Sequence, residues 1–137
     1  MHLPPTPNLA DYVEAFNRGD AAAYGVFYAP DVVLRNGGGT VLEGRDAILQ
    51  FYARVRQQMH RVMRLVAVVE GRECLAAALA STFTALEDGV SLAGESLQAG
   101  DRLMLESMAL YELEDGKFIR IEATTIRHSV LRKGEGE

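Results

Sequence analysis

Three tyrosines carry the chemistry that this sequence offers most clearly. Tyr12, Tyr28 and Tyr52 each lie in a segment where apolar residues recur at steps of three and four, which is typical of the buried side of a helix. A buried phenol needs a hydrogen-bond partner, and with an ordinary pKa near ~10 it is a donor at neutral pH. Either the three hydroxyls satisfy one another within a core, or Tyr12 donates to a ligand oxygen. The spacing leaves both interpretations open.

Asn36 and His60 are the other candidates for a catalytic role. The amide of Asn36 does not exchange a proton near neutral pH, but it donates and accepts hydrogen bonds that can orient a substrate. His60 follows a predicted helix and is the candidate base at the mouth of a pocket. The alternative for His60 is a helix-terminal histidine that interacts with the helix dipole.

Metal and nucleotide sites are not expected. His2, His60 and His128 lack metal-ligand spacing, so we predict no metal and no cofactor. The triplet Gly37-Gly38-Gly39 lacks the Gly-Lys-Ser/Thr ending of a phosphate loop and predicts a turn.

Composition predicts one soluble globular domain. The chain has 137 residues, of which 48% are hydrophobic and 24% charged. The net charge of −5 argues against a nucleic-acid surface, and no apolar stretch is long enough to span a membrane. A single cysteine, Cys74, cannot form an intramolecular disulfide. We therefore expect a cytoplasmic protein that binds neither nucleic acid nor membrane.

The elements that must position these side chains are helices first and strands afterwards. Asn8 and Asp20 are typical helix N-caps, and Pro30 is expected to stop the second helix. Residues 90–100 predict a loop or short edge piece, and the polar tail from Arg132 to Glu137 predicts disorder. This order predicts an α+β fold with three N-terminal helices on one face of a curved antiparallel sheet. The expected helices span residues 8–19, 20–30 and 45–59, and the expected strands 31–36, 40–43, 61–70, 73–86, 102–113 and 117–128.

The last two strands predict a ligand-facing side of the sheet. The triplet Glu114-Asp115-Gly116 predicts a three-residue hairpin in which Leu113 pairs with Lys117. Such a pairing puts small or apolar residues on one side, where they leave room for a ligand. In that register Ala109 faces Ile121 and Ser107 faces Ala123, with Tyr111 and Thr125 on the same side.

The opposite side of these strands is also largely apolar. Met104, Glu106, Met108 and Leu110 lie there, and the residues of the following strand expected beside them are Phe118, Arg120, Glu122, Thr124 and Ile126. Because exposed apolar sheet surface usually marks an interface, we predict a homodimer through the outer sheet face.

Three segments resemble a known family: YVEAFNRGD (Tyr12–Asp20), FYAPDVVLRN (Phe27–Asn36) and GRDAILQFYARV (Gly44–Val55). They are similar to the ketosteroid-isomerase branch of the nuclear-transport-factor-2-like superfamily, which also contains the SnoaL-like polyketide cyclases. The hairpin LYELEDGKFIRIEATTI is similar to the family's final two strands. The resemblance implies one SnoaL-like or ketosteroid-isomerase-like domain over residues 1–137, ordered over about 8–128. It also implies a cone-shaped, cystatin-like α+β barrel around an apolar pocket.

The resemblance implies roles for individual residues. Tyr12 matches the tyrosine that donates to the developing oxyanion in the steroid isomerases, and Tyr28 and Tyr52 match two tyrosines that hydrogen-bond to it. The base of those enzymes corresponds to Asn36 and their protonated aspartate to Ala109, so steroid isomerisation is not expected. The expected catalytic residues are Tyr12, Asn36 and His60. The expected pocket residues are Phe16, Tyr28, Phe51, Tyr52, Ser107, Ala109, Tyr111, Ile121, Ala123 and Thr125.

Two functions remain open at this point. The first is an enzyme of isomerase, cyclase or dehydratase type that acts on a small apolar carbonyl or polyketide-like molecule, with Tyr12 as the electrophile. The second is a catalytically silent member that binds such a ligand or a partner protein. The expected partners are a small apolar ligand and a second copy of the chain.

Overall fold

A computed structural model of the chain describes residues 6–135. His2, considered above as a metal ligand, lies outside these residues, as do the last two residues of the tail. The helices are α1 (Leu9–Asn17), α2 (Ala21–Gly25) and α3 (Arg45–Gln58). The strands are β1 (Tyr28–Arg35), β2 (Val41–Glu43), β3 (Met59–Gly71), β4 (Cys74–Ala85), β5 (Val90–Leu92), β6 (Glu95–Leu97), β7 (Arg102–Glu114) and β8 (Lys117–Leu131).

The two N-terminal helices begin at their predicted caps. The side chain of Asn8 accepts a hydrogen bond from the backbone N–H of Asp11, and Asp20 accepts one from Ala23. The prediction that α2 continues to Pro30 is wrong, because α2 ends at Gly25 and Tyr28 begins β1. Tyr28 is buried there as a strand residue, against the helices rather than on one of them.

Six strands form one curved sheet in the order β2-β1-β8-β7-β4-β3. The sheet is mixed, since β1 pairs with β8 in parallel while the other neighbouring strands are antiparallel. The expectation of a purely antiparallel sheet is therefore corrected at this one pair. The helices lie on the concave side, which agrees with the predicted α+β arrangement.

The β7–β8 hairpin differs from its predicted register. Glu114 pairs with Lys117, so the loop has two residues, Asp115 and Gly116, and both have positive φ as a type I′ turn requires. Two bulges shift the register along the hairpin. After the first bulge, between Leu113 and Glu112, residue Ala109 lies opposite Ala123. This is a slip of two residues from the predicted register. Between the two bulges this slip keeps the predicted side chains on their faces, because strand side chains alternate with a period of two.

Each bulge reverses which side chains of β8 face the helices. Leu113 pairs with Phe118 and Glu112 with Arg120, so the bulge carries Phe118 to the concave side. Phe118 is completely buried in the core, and its predicted place on the outer face is wrong. The second bulge lies between Glu106 and Ser107, and beyond it Leu105 pairs with His128.

Two further segments are more ordered than the sequence predicts. The segment predicted as a loop or edge piece contains the short hairpin of β5 and β6. Arg132 and Lys133, predicted to lie in a disordered tail, both donate hydrogen bonds to the buried carboxylate of Asp101, at 3.0 and 2.9 Å. The backbone N–H of Gln98 donates to the same carboxylate, and these three bonds lower the pKa of Asp101.

Candidate functional site

A cavity of about 630 Å³ lies between the helices and the concave face of the sheet. Its walls come from α1, α3 and the long strands, with residues of β5 and of the β1–β2 turn near its rim. Within the described residues, none of the side chains lining it is an aspartate or a glutamate. Eleven of the thirteen predicted site residues line this cavity: Tyr12, Phe16, Asn36, Phe51, Tyr52, Ser107, Ala109, Tyr111, Ile121, Ala123 and Thr125.

Tyr28 lies behind the wall of the cavity and supports Tyr12. The two hydroxyl oxygens are 2.6 Å apart, and Tyr28 is completely buried. Either hydroxyl can be the donor of this bond, and we assign the donation to Tyr28, because the described residues offer its buried proton no other acceptor. Tyr12 then keeps its own proton for an acceptor inside the cavity. Burial raises the pKa of both hydroxyls well above the usual tyrosine range, so both stay protonated.

Tyr52 and Tyr111 occupy a different part of the wall from the Tyr12–Tyr28 pair. The expected hydrogen bond from Tyr52 to Tyr12 is absent from the described residues, and the Tyr52 ring instead packs edge-on against Phe16 at 4.9 Å. Burial raises the pKa of Tyr52 and of Tyr111, and the nearby Arg61 guanidinium opposes that rise in both. A positive charge therefore lies close to both phenols.

Asn36 lines the cavity where β1 ends, but its side-chain oxygen is already engaged. Oδ1 accepts hydrogen bonds from the backbone N–H groups of Gly38, at 3.0 Å, and Thr40, at 3.1 Å. These bonds hold the glycine turn between β1 and β2. The amide N–H₂ group remains as the part of Asn36 that can donate to a ligand.

His60 does not reach the cavity. Because α3 ends at Gln58, His60 is the second residue of β3 and not a helix-terminal residue as predicted. Its strand neighbours Met59 and Arg61 line the cavity, and alternation along the strand leaves His60 exposed on the opposite side. The position of His60 excludes contact with a ligand in the cavity.

His128 is the histidine that lines the cavity, and the sequence analysis did not select it. Its Nε2 lies 3.1 Å from Oε2 of Glu95 in β6, and its side chain is 31% exposed. A carboxylate only accepts hydrogen bonds, so Nε2 of His128 is the donor to Glu95, and Nδ1 has no hydrogen-bond partner among the described residues. This arrangement is suited to a base at the rim of the cavity.

Arg61 is a second residue that the sequence analysis did not select as part of the site. Its guanidinium carbon lies 4.8 Å from the ring centre of Phe83 and 5.4 Å from that of Phe16. Nη2 donates to Oγ of Ser81 at 3.2 Å. Arg61 alternates along β3 with the buried Met59 and Met63, and an arginine on the apolar side of a strand was the signal that could have found it.

Comparison with known proteins identifies the fold and a family model. Residues 9–121 match the model of a SnoaL-like domain. Among curated proteins, no sequence is significantly similar to this chain. No helix among residues 6–135 combines the length and the apolar character needed to cross a membrane.

Three solved structures illustrate the similarity of fold. A polyketide cyclase candidate from Pseudomonas putida superposes with a TM-score of 0.71 and 21% identity, covering 89% of this chain and 91% of the other. A polyketide cyclase candidate from Xanthomonas campestris pv. campestris gives 0.68 and 23%, covering 85% of each chain. An NTF2-like protein of unknown function from Burkholderia pseudomallei gives 0.70 and 19%, covering 85% of this chain and 86% of the other.

Proposed function

The chain belongs to the SnoaL-like domain family, and from that premise we propose that it binds a small, largely apolar carbonyl compound in the cavity. Tyr12 donates a hydrogen bond to the carbonyl oxygen of this ligand. The polyketide cyclase candidates among the structural neighbours support a polyketide-like compound as the class of ligand. A wall that combines apolar and aromatic side chains with polar groups is typical of small-molecule sites.

The observation that carries the proposal is the position of Tyr12, which lines the cavity while its hydroxyl lies 2.6 Å from that of the buried Tyr28. With the Tyr28 proton assigned to the Tyr12 oxygen, the Tyr12 proton is left for a ligand in the cavity. A donor that already accepts a hydrogen bond is polarised and becomes a stronger donor. A carbonyl oxygen has the lone pairs to accept that bond, and the surrounding aromatic wall accommodates an apolar body.

The proposal is tested with two probes of nearly the same shape, 2-acetylnaphthalene and 2-isopropenylnaphthalene. They differ in carrying a carbonyl oxygen or a CH₂ group. One hydrogen bond should make the ketone bind about 2- to 10-fold more tightly, measured by fluorescence titration. Tyr12→Phe should remove that advantage and leave hydrocarbon binding unchanged.

Tyr24→Phe is the matched control for this titration. Tyr24 is completely buried outside the cavity wall, and its hydroxyl accepts a hydrogen bond from Arg56 at 3.2 Å. The variant should keep the preference for the ketone. Equal affinity of the wild-type protein for the two probes, or no binding of either, would contradict the proposal.

A catalytic role is the second candidate function, and the His128–Glu95 pair favours it. Nδ1 of His128 would take a proton from the carbon next to the carbonyl, and the electron pair of that C–H bond would move onto the oxygen held by Tyr12. The test measures how fast the acetyl methyl group of 2-acetylnaphthalene exchanges hydrogen for deuterium. Faster exchange with the wild-type protein, and loss of that acceleration in His128→Gln, would support this role. A positioned base contributes about 10²–10⁴-fold. If the wild-type protein does not accelerate the exchange, the cavity only binds.

A further inference from the structure

We infer that the ligand of this cavity carries an anionic group, a carboxylate or an anion of similar planar shape, that pairs with the guanidinium of Arg61. This inference rests on the proposed function, since it adds a charge to the same ligand. It is carried by where Arg61 lies, by what surrounds it and by the absence of an acid among the described residues that line the cavity.

The position of Arg61 fixes the direction of its side chain. In β3 it alternates with Met59 and Met63, which are 6% exposed and line the same cavity. Its guanidinium lies over the rings of Phe16 and Phe83, one from α1 and one from β4. These two rings hold the group between the helix layer and the sheet, at the cavity wall.

The charge of Arg61 is not compensated by a carboxylate in the described part of the chain. Arg35 also lines the cavity, but it is paired with Glu122 at 3.6 Å, and the carboxylate of Glu95 lies 3.1 Å from Nε2 of His128. Arg61 has no ion pair among the described residues. A partly desolvated cation in an apolar setting is costly unless an anion accompanies it.

The hydrogen bonds of Arg61 leave much of its donor capacity unused. A guanidinium has five N–H donors, and here Nε and Nη2 share Oγ of Ser81, at 3.4 and 3.2 Å, while Nη2 also donates to Sδ of Met63 at 3.8 Å. The structure gives Nη1 no hydrogen-bond partner among residues 6–135. The N–H groups of Nη1 are therefore the donors left for an anion, and the planar guanidinium stacked on aromatic rings suits a carboxylate better than a lysine ammonium would.

The experiment compares 2-naphthoate with 2-naphthamide, two probes of similar size of which only the first is charged. In a cavity without a cation the amide would bind better, because a carboxylate loses more hydration. With Arg61 facing the cavity, the wild-type protein should bind 2-naphthoate about tenfold or more tightly than the amide. Titration calorimetry measures both affinities.

The variant Arg61→Met should abolish or reverse the preference for 2-naphthoate while leaving the affinity for 2-naphthamide within about twofold. Arg64→Met is the matched control: Arg64 lies on the same strand, is exposed, does not line the cavity and carries the same charge. It should keep the wild-type preference. Arg61→Lys keeps the charge without the planar edge and should retain part of the preference.

The outcomes separate this inference from the proposed function. If the wild-type protein binds 2-acetylnaphthalene but prefers 2-naphthamide to 2-naphthoate, the proposed function is retained and the inferred anion site is wrong. The same conclusion follows if Arg61→Met and Arg64→Met change the two affinities equally, since Arg61 would then act only in packing. If the wild-type protein binds none of the naphthalene probes, the proposed function fails and the anion site fails with it.

Discussion

At the scale of single residues, the Tyr12–Tyr28 pair links the core to the cavity. Tyr28 is enclosed by protein, while Tyr12 has one side on the cavity. The two hydroxyls therefore tolerate loss of their partner differently. Removing the Tyr12 hydroxyl leaves a buried Tyr28 proton without an acceptor, whereas removing the Tyr28 hydroxyl leaves a Tyr12 group that ligand or water can satisfy.

We expect Tyr12→Phe to lower the free energy of unfolding by about 1–3 kcal/mol, the cost of an unmade buried hydrogen bond. For a domain of this size the melting temperature should fall by about 2–6 °C per kcal/mol. Tyr28→Phe should cost less, and the double variant should recover part of the loss of Tyr12→Phe. The measurement is a double-mutant cycle by thermal and denaturant unfolding. A larger loss for Tyr28→Phe than for Tyr12→Phe would reverse the assigned direction of the bond.

The buried tyrosines also predict how stability depends on pH. Burial raises the pKa of Tyr12, Tyr28, Tyr52 and Tyr111 in the folded protein. The contribution of these tyrosines to the free energy of unfolding is fully present below about pH 10, the pKa of a tyrosine in the unfolded chain. It is lost as the pH rises above that value, because the phenols of the unfolded chain then ionise more readily than those of the folded protein. Denaturant unfolding should therefore show lower stability above about pH 10 than below about pH 9.

Tyr111→Phe provides the check on this pH dependence. The variant removes one of the groups whose pKa is raised, so it should lose less stability across the same pH change than the wild-type protein does. Tyrosinate absorbance should appear together with unfolding. Full ionisation of the tyrosines in a protein that remains folded would disprove the assignment of these groups as buried.

At the scale of elements, one side chain joins α1 to the open edge of the sheet. β3 is an edge strand, and Asn17 at the end of α1 makes two hydrogen bonds to the backbone of Met63. Its Nδ2 donates to the carbonyl oxygen and its Oδ1 accepts from the N–H, both at 2.8 Å. The amide thus replaces the neighbouring strand that an edge lacks, and it positions α1 and Tyr12 over the cavity.

Asn17→Ala should lower the free energy of unfolding by about 1–3 kcal/mol, since two partly buried backbone groups lose their partners. It should also weaken binding of 2-acetylnaphthalene, because α1 carries Tyr12. Glu14→Ala on the same helix is the control, as its exposed ion pair with Arg18 contributes about 0.3–0.5 kcal/mol. Equal stability losses in the two variants would mean that Asn17 does not hold the helix to the strand.

At the scale of the whole molecule, the outer sheet face, the side of β4, β7 and β8 turned away from the helices, carries exposed apolar residues beside the ion pairs Arg120–Glu112 and Arg127–Glu106. Met108 and Leu110 are each 42% exposed and Ile126 is 49% exposed. Met108 lies between Ala78 and Thr124 on the neighbouring strands. Small neighbours around a large apolar residue allow another sheet to approach closely, so we still expect the chain to form a homodimer through this face.

Met108→Glu should weaken the dimer by burying a charge at the centre of its interface. Light scattering over a range of protein concentrations measures the change, and it should show the variant dissociating at concentrations where the wild-type protein is dimeric. Val26→Glu, at a residue that is 59% exposed at the end of α2, is the control and should remain dimeric. A monomeric wild-type protein at micromolar concentration would refute this prediction.

The sequence by itself determined that the chain has three helices and where each begins, most of the strands, and the small residues of the cavity wall. Caps such as Asn8 and Asp20, glycine turns and strand alternation act between near neighbours, so they can be read along the chain. Even the wrong register of the β7–β8 hairpin placed Ala109 and Ala123 correctly, because a slip of two residues preserves the face.

The tertiary structure alone decided the parallel pairing of β1 with β8 and which histidine faces the cavity. Thr125 lines the cavity, and simple alternation along β8 would place Arg127 on the same side. The bulge between Glu106 and Ser107 leaves Ile126 without a pairing partner in β7, since Ser107 pairs with Thr125 and Glu106 with Arg127, and His128 faces the cavity in place of Arg127. His60 faces outward because it lies in β3, where it alternates with Met59 and Arg61 of the cavity wall. A bulge or a helix end is set by packing against distant strands, and one residue of difference reverses every side chain beyond it.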